Sequence, residues 1–147
     1  MGDIAVVIER TYDAPAKAVF AALADYTITR PNILAPEFTD FQVLAGGVGA
    51  GTRISYRLHA TEKRVREVEA TVTEPVTGKE LLETDTKSSL RVLWTVTPDS
   101  DNRSRLTVGV NWQGATGIGG FFERRFAPAG IRRIYATELD RLQTVLA

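Results

Sequence analysis

The sequence predicts an α+β fold in which a curved antiparallel β-sheet wraps around one long C-terminal helix, with two short helices after the first strand. In the middle of the chain, apolar and polar residues alternate in segments separated by short turns, as in strands that pair antiparallel. Residues 117–147 instead repeat their apolar residues at the helical period. A lone helix must bury that apolar stripe, and the sheet offers the only large surface. We therefore expect a cavity between the helix and the sheet.

The N-terminal part of the chain predicts one strand and then two short helices. Residues Ile4–Tyr12 are β-branched and apolar, which is typical of a strand. Asp13 and Pro15 then indicate a helix over residues Ala16–Ala24, because Asp is a good N-cap and Pro is tolerated in the first turn. A second, short helix is predicted over Thr29–Leu34 and ends before the next proline.

The pattern from Phe41 onward is that of consecutive strands. In residues 52–60, Ile54, Tyr56 and Leu58 share one face, and His59 falls on the opposite face, toward solvent. Further strands are predicted over 63–74, 79–84, 90–97 and 105–113, and residues 98–102 are predicted to form a hairpin turn. The glycines of residues 46–51 are followed by a strand rather than a helix, so they predict a turn and not a phosphate-binding loop.

The closing helix has an apolar stripe and a charged remainder. Pro128 lies inside it and is expected to kink or split it. Glu123, Glu138 and Asp140 alternate with arginine pairs, which predicts a solvated face with local ion pairs. The apolar stripe consists of Phe122, Phe126, Ile131, Ile134, Tyr135, Leu139, Leu142 and Leu146.

Composition narrows the possible functions. The 147 residues fit one domain, and 18 basic side chains balance 18 acidic ones, which argues against a nucleic-acid binder. The absence of cysteine and the single histidine exclude disulfides, thiolate metal sites and multi-histidine metal sites. They do not exclude an all-carboxylate metal site, but we expect no metal and no cofactor. No segment has the pattern of a signal peptide or the length of a membrane span, so we expect a cytoplasmic protein. Monomer and homodimer both remain open.

Several local motifs match a known family. They are Asp13-Ala14-Pro15 with Ala18-Val19-Phe20 and Leu23-Ala24-Asp25, then Gly49-Ala50-Gly51-Thr52-Arg53, then Leu93-Trp94-Thr95-Val96-Thr97-Pro98, and finally residues 121–128 with 131–135. Together with the element order, they resemble the START-like superfamily, also called SRPBCC, in its polyketide cyclase/dehydrase-like branch. The resemblance covers nearly the whole chain and implies a single domain over residues 1–147 with the helix-grip fold. It implies a small-molecule function without fixing the activity, because the family binds lipids, hormones and polyketides on one scaffold.

Candidate ligand-binding residues follow from the faces on which they fall. Tyr56, Trp94, Trp112 and Tyr135 lie on inferred inward faces and combine apolar bulk with a polar group, which suits an amphipathic ligand. Ordinary core packing is the alternative for each of them. Further candidates are Phe122 and Phe126 on the closing helix, and Tyr26, Arg30 and Asn32 beside the short helices, where exposed loop positions are the alternative.

Arg66 shares the inward phase of Val68, Ala70 and Val72, which predicts a guanidinium in the cavity that needs a carboxylate or ligand partner. Its alternative is a strand-end position from which the side chain reaches solvent. The resemblance implies that a cavity arginine positions a polyketide carbonyl or enolate, as in aromatase/cyclase relatives.

Three functions follow from these observations. The first is binding or transport of a hydrophobic or aromatic small molecule, lipid or polyketide-like, in the cavity. The second is a cyclase or aromatase in which Arg66 stabilises an enolate and Tyr56 relays a proton. The third is a protein-interaction module, which would need an exposed apolar patch on the sheet's outer face. The alternating charged residues of that face argue against one; they are Arg53, Arg57, Glu67 and Glu69.

Overall fold

Seven strands and three helices form the part of the protein that the computed structural model describes. It describes residues 3–59, 65–113 and 117–147, and the side chains of residues 5–59, 65–113 and 128–147. In chain order the elements are β1 (Asp3–Tyr12), α1 (Ala16–Ala24), α2 (Thr29–Ile33), β2 (Phe38–Ala45), β3 (Arg53–His59), β4 (Val65–Thr73), β5 (Glu80–Asp85), β6 (Arg91–Ser100), β7 (Arg103–Gln113) and α3 (Gly117–Leu146).

The strands form one curved antiparallel sheet in the order β1-β7-β6-β5-β4-β3-β2. Strands β2 to β7 follow one another as a meander, and β1 pairs with β7 along its whole length. The two edge strands, β1 and β2, are neighbours in the sequence, so α1 and α2 carry the chain from one edge of the sheet to the other. The predicted helix-grip α+β architecture is confirmed.

Alternation along the strands determines which side chains enter the core. In β3 and β7, buried residues alternate with exposed or half-buried ones, as a period of two requires. The predicted inward faces of β3, β4, β6 and β7 are therefore confirmed. Their buried members are Ile54, Tyr56, Leu58, Val68, Ala70, Val72, Val92, Trp94, Val96, Leu106, Val108, Val110 and Trp112.

Helix α3 closes the sheet and is continuous through Pro128. The predicted split does not occur, because the fixed φ of proline is compatible with a helix and only one backbone hydrogen bond is lost. Tyr12 anchors α3 to β1 by donating a hydrogen bond of 2.7 Å to the Leu139 carbonyl. Ile131, Ile134, Tyr135, Leu139 and Leu142 are buried, as the stripe predicts. Among the described residues, no helix has the length and apolarity needed to cross a membrane.

The structure differs from the sequence prediction at the start of α1 and at the end of β6. The N-cap of α1 is Pro15 and makes no side-chain hydrogen bond, so Asp13 is too far upstream to act as the cap. Asp13 instead accepts a hydrogen bond of 3.1 Å from Arg103. The turn after β6 is also shorter than predicted, because β6 continues to Ser100 through an irregularity in pairing that accommodates Pro98.

Candidate functional site

Arg30 is the cation at the centre of a polar cluster inside the core. Its Nη2 lies 2.9 Å from Glu83 Oε2, and its Nη1 donates a hydrogen bond of 3.1 Å to the Leu23 carbonyl. The guanidinium carbon lies 4.6 Å from the centroid of the Tyr26 ring and 4.4 Å from that of Trp94. The charge is therefore both paired with a carboxylate and stacked between two aromatic rings.

Tyr26 is a second partner of the Glu83 carboxylate. Its hydroxyl donates a hydrogen bond of 2.6 Å to Glu83 Oε2, and its backbone N–H bonds the Gly47 carbonyl at 2.9 Å. Burial and the nearby Glu83 carboxylate raise the pKa of Tyr26 well above its ordinary value, so the phenol stays neutral. The glycine-rich segment before β3 thus positions a tyrosine against the ion pair, rather than a phosphate.

Tyr26, Arg30 and Asn32, the candidates predicted near the short helices, differ in their exposure to solvent. The alternative that Tyr26 and Arg30 are exposed loop residues is wrong, because both are buried. Helix α2 is a little over one turn long and directs Arg30 and Ile33, three positions apart, into the core. Asn32 lies on the other side of that turn and is exposed.

Four aromatic rings form a contiguous group beside the ion pair. Phe38 meets Tyr56 edge to face at a centroid distance of 5.2 Å and Tyr135 at 5.9 Å. Tyr135 also meets Trp94 at 5.9 Å. Strands β2 and β6 thereby contact α3 through rings, and Tyr56 of β3 joins the group through Phe38. The pKa values of Tyr56 and Tyr135 are raised well above the ordinary value, chiefly by burial, so both hydroxyls are neutral donors.

Glu138 adds a second carboxyl group to the interior. It was predicted on the solvated face of α3, and this prediction is wrong: only 1% of the residue is exposed. It follows Ile134 and Tyr135 by four and three positions, which puts it on the buried stripe. Its Oε2 accepts a hydrogen bond of 3.4 Å from the Ala35 N–H. Burial raises its pKa to about 8, against the opposing effect of Arg30.

Two buried nitrogen atoms of this cluster lack a hydrogen-bond partner among the described residues. They are Nε1 of Trp94 and Nε of Arg30. An indole N–H only donates, so Trp94 is a donor without an acceptor in an otherwise well-paired core. We call the set of Tyr26, Arg30, Glu83, Trp94 and Glu138, with the rings of Phe38, Tyr56 and Tyr135, the interior cluster.

The remaining predicted site residues lie apart from these contacts. Arg66 is half-buried near the start of β4, where its Nη1 donates a hydrogen bond of 3.4 Å to Ser88 Oγ at an exposed position. Trp112 is buried near the end of β7. Phe122 and Phe126 lie outside the described side chains. Participation of any of these residues in ligand binding stays a prediction.

Sequence reasoning missed Phe38, Glu83 and the burial of Glu138. The sequence does contain signals that Glu83 and Glu138 face inward. Leu81 faces inward on β5, and alternation then brings Glu83 to the same face. The i+3 and i+4 spacing from the apolar stripe does the same for Glu138. The sequence pattern does not identify the partner of a charged residue on an inward face, because that partner comes from a distant part of the chain.

The outer face of the sheet carries charged pairs and two shallow depressions. Arg53 lies 2.9 Å from Glu69, and Arg57 lies 3.8 Å from Glu67. His59 is half-buried, with its Nε2 2.9 Å from Thr39 Oγ1. The depressions measure about 330 and 380 Å³. The larger is lined mainly by apolar residues of β1, β5, β6 and β7, among them Ala5, Val7, Leu82 and Leu93.

No group of three or more His, Asp or Glu side chains that could hold a metal ion occurs in the described ranges 3–59, 65–113 and 117–147. The cluster's carboxyl groups have other partners: Glu83 binds Arg30 and Tyr26, and Glu138 accepts from Ala35.

The chain is similar to known proteins in both sequence and fold. A family model described as polyketide cyclase / dehydrase and lipid transport matches residues 3–147. The solution structure of the KanY protein is 41% identical, with a TM-score of 0.88 and 99% of each chain covered. No curated protein matches the chain.

More distant solved structures share the fold at low identity. A protein of Thermus thermophilus is 16% identical with a TM-score of 0.77, over 97% of this chain and 96% of that one. The Zhui aromatase/cyclase of Streptomyces sp. R1128 is 14% identical with a TM-score of 0.67, over 99% and 92%. A START superfamily protein of Mycobacterium smegmatis is 12% identical with a TM-score of 0.69, over 99% and 97%.

Proposed function

The chain belongs to the polyketide cyclase / dehydrase and lipid transport family, and from this premise we propose that it binds a hydrophobic or aromatic small molecule between the sheet and α3. The observation that carries the proposal is the Trp94 indole N–H, buried among aromatic rings and without an acceptor among the described residues. An unpaired buried donor costs about 1–3 kcal/mol. A ligand that supplies an acceptor would recover part of that cost.

The surroundings of Trp94 have the composition of a ligand site. Small-molecule sites are mostly apolar and aromatic, with a few polar groups that fix orientation. Here Phe38, Tyr56 and Tyr135 supply rings, and the two phenols and Glu138 supply polar groups. The guanidinium of Arg30, paired with Glu83, lies over the Trp94 ring at 4.4 Å from its centroid.

Native mass spectrometry of gently purified protein, beside an organic extract of denatured protein, tests the proposal. We expect an adduct that is lost on denaturation and whose mass gives the ligand class. Ala70→Leu, which adds bulk to the inward face of β4, should reduce the adduct, whereas Thr71→Leu on the same strand's other face should retain it. An experimental structure with α3 flat on the sheet and no void above roughly 300 Å³ would contradict the proposal.

A cyclase or aromatase reaction in the same interior is the second candidate. The observation that favours it is Glu138, whose pKa of about 8 lets a carboxylic acid hold a transferable proton near neutral pH. The phenol of Tyr56 is near enough for its pKa to be raised by the Glu138 charge. In this reading Tyr56 relays a proton and Arg66 stabilises an enolate.

A poly-β-ketone substrate distinguishes the two functions. If the protein is a cyclase, Tyr56→Phe and Arg66→Ala should change the distribution of cyclised products while the circular dichroism spectrum stays that of the folded protein. An unchanged product distribution in both variants argues for binding alone.

A further inference from the structure

The buried charges of the interior are unbalanced toward acid. Among the described residues, the buried charged side chains are Arg30, Glu83, Asp85 and Glu138, so one cation accompanies three carboxyl groups. The charge of this cation is already paired, because Arg30 Nη2 lies 2.9 Å from Glu83 Oε2, and its Nη1 donates to the Leu23 carbonyl at 3.1 Å. Its Nε has no partner among the described residues and is a further donor. No described buried cation therefore lacks a carboxylate partner.

Asp85 has a local structural role, so we do not count it among the groups that could contact a ligand. It accepts hydrogen bonds from the Glu69 N–H at 3.2 Å, from the Lys87 N–H at 3.1 Å and from Ser88 Oγ at 2.5 Å. These contacts shape the loop between β5 and β6. Glu138, in contrast, has one hydrogen bond to a described residue, of 3.4 Å, and belongs to the interior cluster.

The polar groups that remain for a ligand are donors. The Trp94 indole can only donate. The hydroxyls of Tyr56 and Tyr135 are neutral and donate or accept. Glu138, with a pKa of about 8, carries its proton at neutral pH and is a donor as well. A ligand that satisfies this set must bring an acceptor.

We propose that the part of the ligand that contacts Trp94, Tyr135 and Glu138 is an uncharged hydrogen-bond acceptor on an aromatic frame, with an aryl ketone as the simplest representative, and that the interior rejects aryl carboxylates. This inference rests on the proposed function and names its ligand class. A carboxylate would enter a low-dielectric site near the charged Glu83, where like charge and lost hydration both oppose it.

An ammonium group is disfavoured for a related reason. It would carry a second positive charge beside Arg30, and Glu138 is neutral below about pH 8, so no carboxylate is ready to pair with it. A neutral carbonyl meets neither repulsion, and it accepts from Trp94 without any change of protonation.

Four naphthalene probes of the same size test the inference by isothermal titration calorimetry at pH 6.5. They are 2-acetylnaphthalene, 2-ethylnaphthalene, 2-naphthoate and protonated 1-(2-naphthyl)ethylamine. We expect the ketone to bind about tenfold more tightly than the ethyl compound, as one satisfied hydrogen bond gives, and more tightly than either charged probe.

The outcomes separate the two proposals. If no probe binds, the proposed function fails. If probes bind but the ketone has no advantage over the ethyl compound, or either charged probe binds as tightly as the ketone, the function stands and this inference is overturned.

Two variants of buried aromatic residues locate the donor. Trp94→Phe removes the N–H and should lower the ketone's advantage over the ethyl compound at least threefold. Tyr12→Phe removes a buried donor that bonds the Leu139 carbonyl outside the interior cluster, and it should leave that advantage unaltered. If circular dichroism shows Trp94→Phe to be unfolded, Tyr135→Phe, which removes a hydroxyl from the same cluster, takes its place. An undiminished ketone advantage in the folded variant overturns the inference.

Discussion

Arg30 Nη2 lies 2.9 Å from Glu83 Oε2 in the core, with 5% of the Arg30 side chain and 4% of the Glu83 side chain exposed. The pair links α2, a helix of little more than one turn, to the middle of the sheet. A buried pair is weak evidence for stability in itself, because desolvation offsets the attraction. Removal of one partner is different, since it leaves an uncompensated charge in the core.

Glu83→Gln should therefore destabilise the protein by about 3–5 kcal/mol, the usual cost of breaking a buried ion pair from one side. The amide still accepts from Tyr26 but no longer neutralises Arg30. Urea unfolding followed by circular dichroism measures the loss. A further change of Arg30 to Met in the Glu83→Gln background should recover part of the stability, because the unpaired charge is then removed.

The exposed pair of Arg53 and Glu69 is the matched control. It has the same 2.9 Å separation, but 47% and 29% of its side chains are exposed. Glu69→Gln should cost less than about 1 kcal/mol, because solvent screens surface pairs. Equal losses in Glu83→Gln and Glu69→Gln would show that burial of the Arg30 pair has no energetic consequence.

Glu138 should make stability depend on pH in the sense opposite to most carboxyl groups. Its pKa rises from the ordinary 4.5 to about 8 in the folded protein, with burial as the largest cause. Facing it are Arg30 from α2, the Ala35 N–H, Glu83 from β5 and Arg141 from α3. The folded state therefore holds a proton that the unfolded chain loses, so stability falls as pH rises from about 4.5 to 8.

The full loss amounts to up to roughly 4–5 kcal/mol at 1.36 kcal/mol per pKa unit. Urea unfolding of the wild type and Glu138→Gln at pH 5, 6.5 and 8 measures it, because all other groups titrate alike in the two proteins. The stability of the wild type relative to the variant should fall with pH. A pH-independent difference for Glu138→Gln would contradict the raised pKa.

The sequence was sufficient for the architecture because periodicity reports on faces. Alternation in β3 and β6 predicted that Tyr56 and Trp94 enter the core, and the helical period did the same for Tyr135. Each of these predictions depends only on residues within one element. Their physical basis, apolar surface leaving water, acts without reference to a particular partner.

The burial of the charged residues in the interior cluster depends on distant partners, which the sequence pattern does not identify. Arg30 and Glu83 are buried because they neutralise each other, yet 53 positions separate them in the sequence. Glu138 is buried as a neutral acid, a state that depends on the packed core and on the Ala35 N–H. General rules place charged side chains outside, so these three residues violate the rule where the molecule holds its candidate site.

Gly46 should resist substitution by alanine more strongly than Gly78. Both have positive φ, 68° and 73°, so alanine pays a similar backbone cost of about 1–2 kcal/mol at each. At Gly46 an added Cβ would also lie 2.9 Å from Thr52 Cα and 3.0 Å from the Gly51 carbonyl oxygen, whereas at Gly78 it meets nothing within 4 Å. Urea unfolding should give Gly46→Ala a loss about 1–3 kcal/mol larger, the usual cost of overpacking. Equal losses would show that the turn relaxes.

Tyr12 should contribute to stability through its hydroxyl as well as through its buried ring. The hydroxyl donates a 2.7 Å hydrogen bond to the Leu139 carbonyl and so joins β1 to α3, the two elements that close the sheet. Burial raises the pKa of Tyr12 well above its ordinary value, so the group remains a donor throughout the accessible pH range. Tyr12→Phe keeps the packing and should cost about 1–2 kcal/mol in urea unfolding, because the Leu139 carbonyl loses its side-chain partner inside the core.

The exposed ion pair between the same two elements supplies the comparison for Tyr12. Arg10 Nε lies 3.4 Å from Asp140 Oδ1, with 38% and 70% of the side chains exposed. Arg10→Gln should therefore cost less than about 1 kcal/mol, although it also breaks a bridge between β1 and α3. Amide hydrogen exchange adds a spatial readout: Tyr12→Phe should speed exchange in α3 around Leu139, and Arg10→Gln should not. Faster exchange in both variants would mean that any bridge between β1 and α3 suffices, and that the buried position of the Tyr12 hydrogen bond is immaterial.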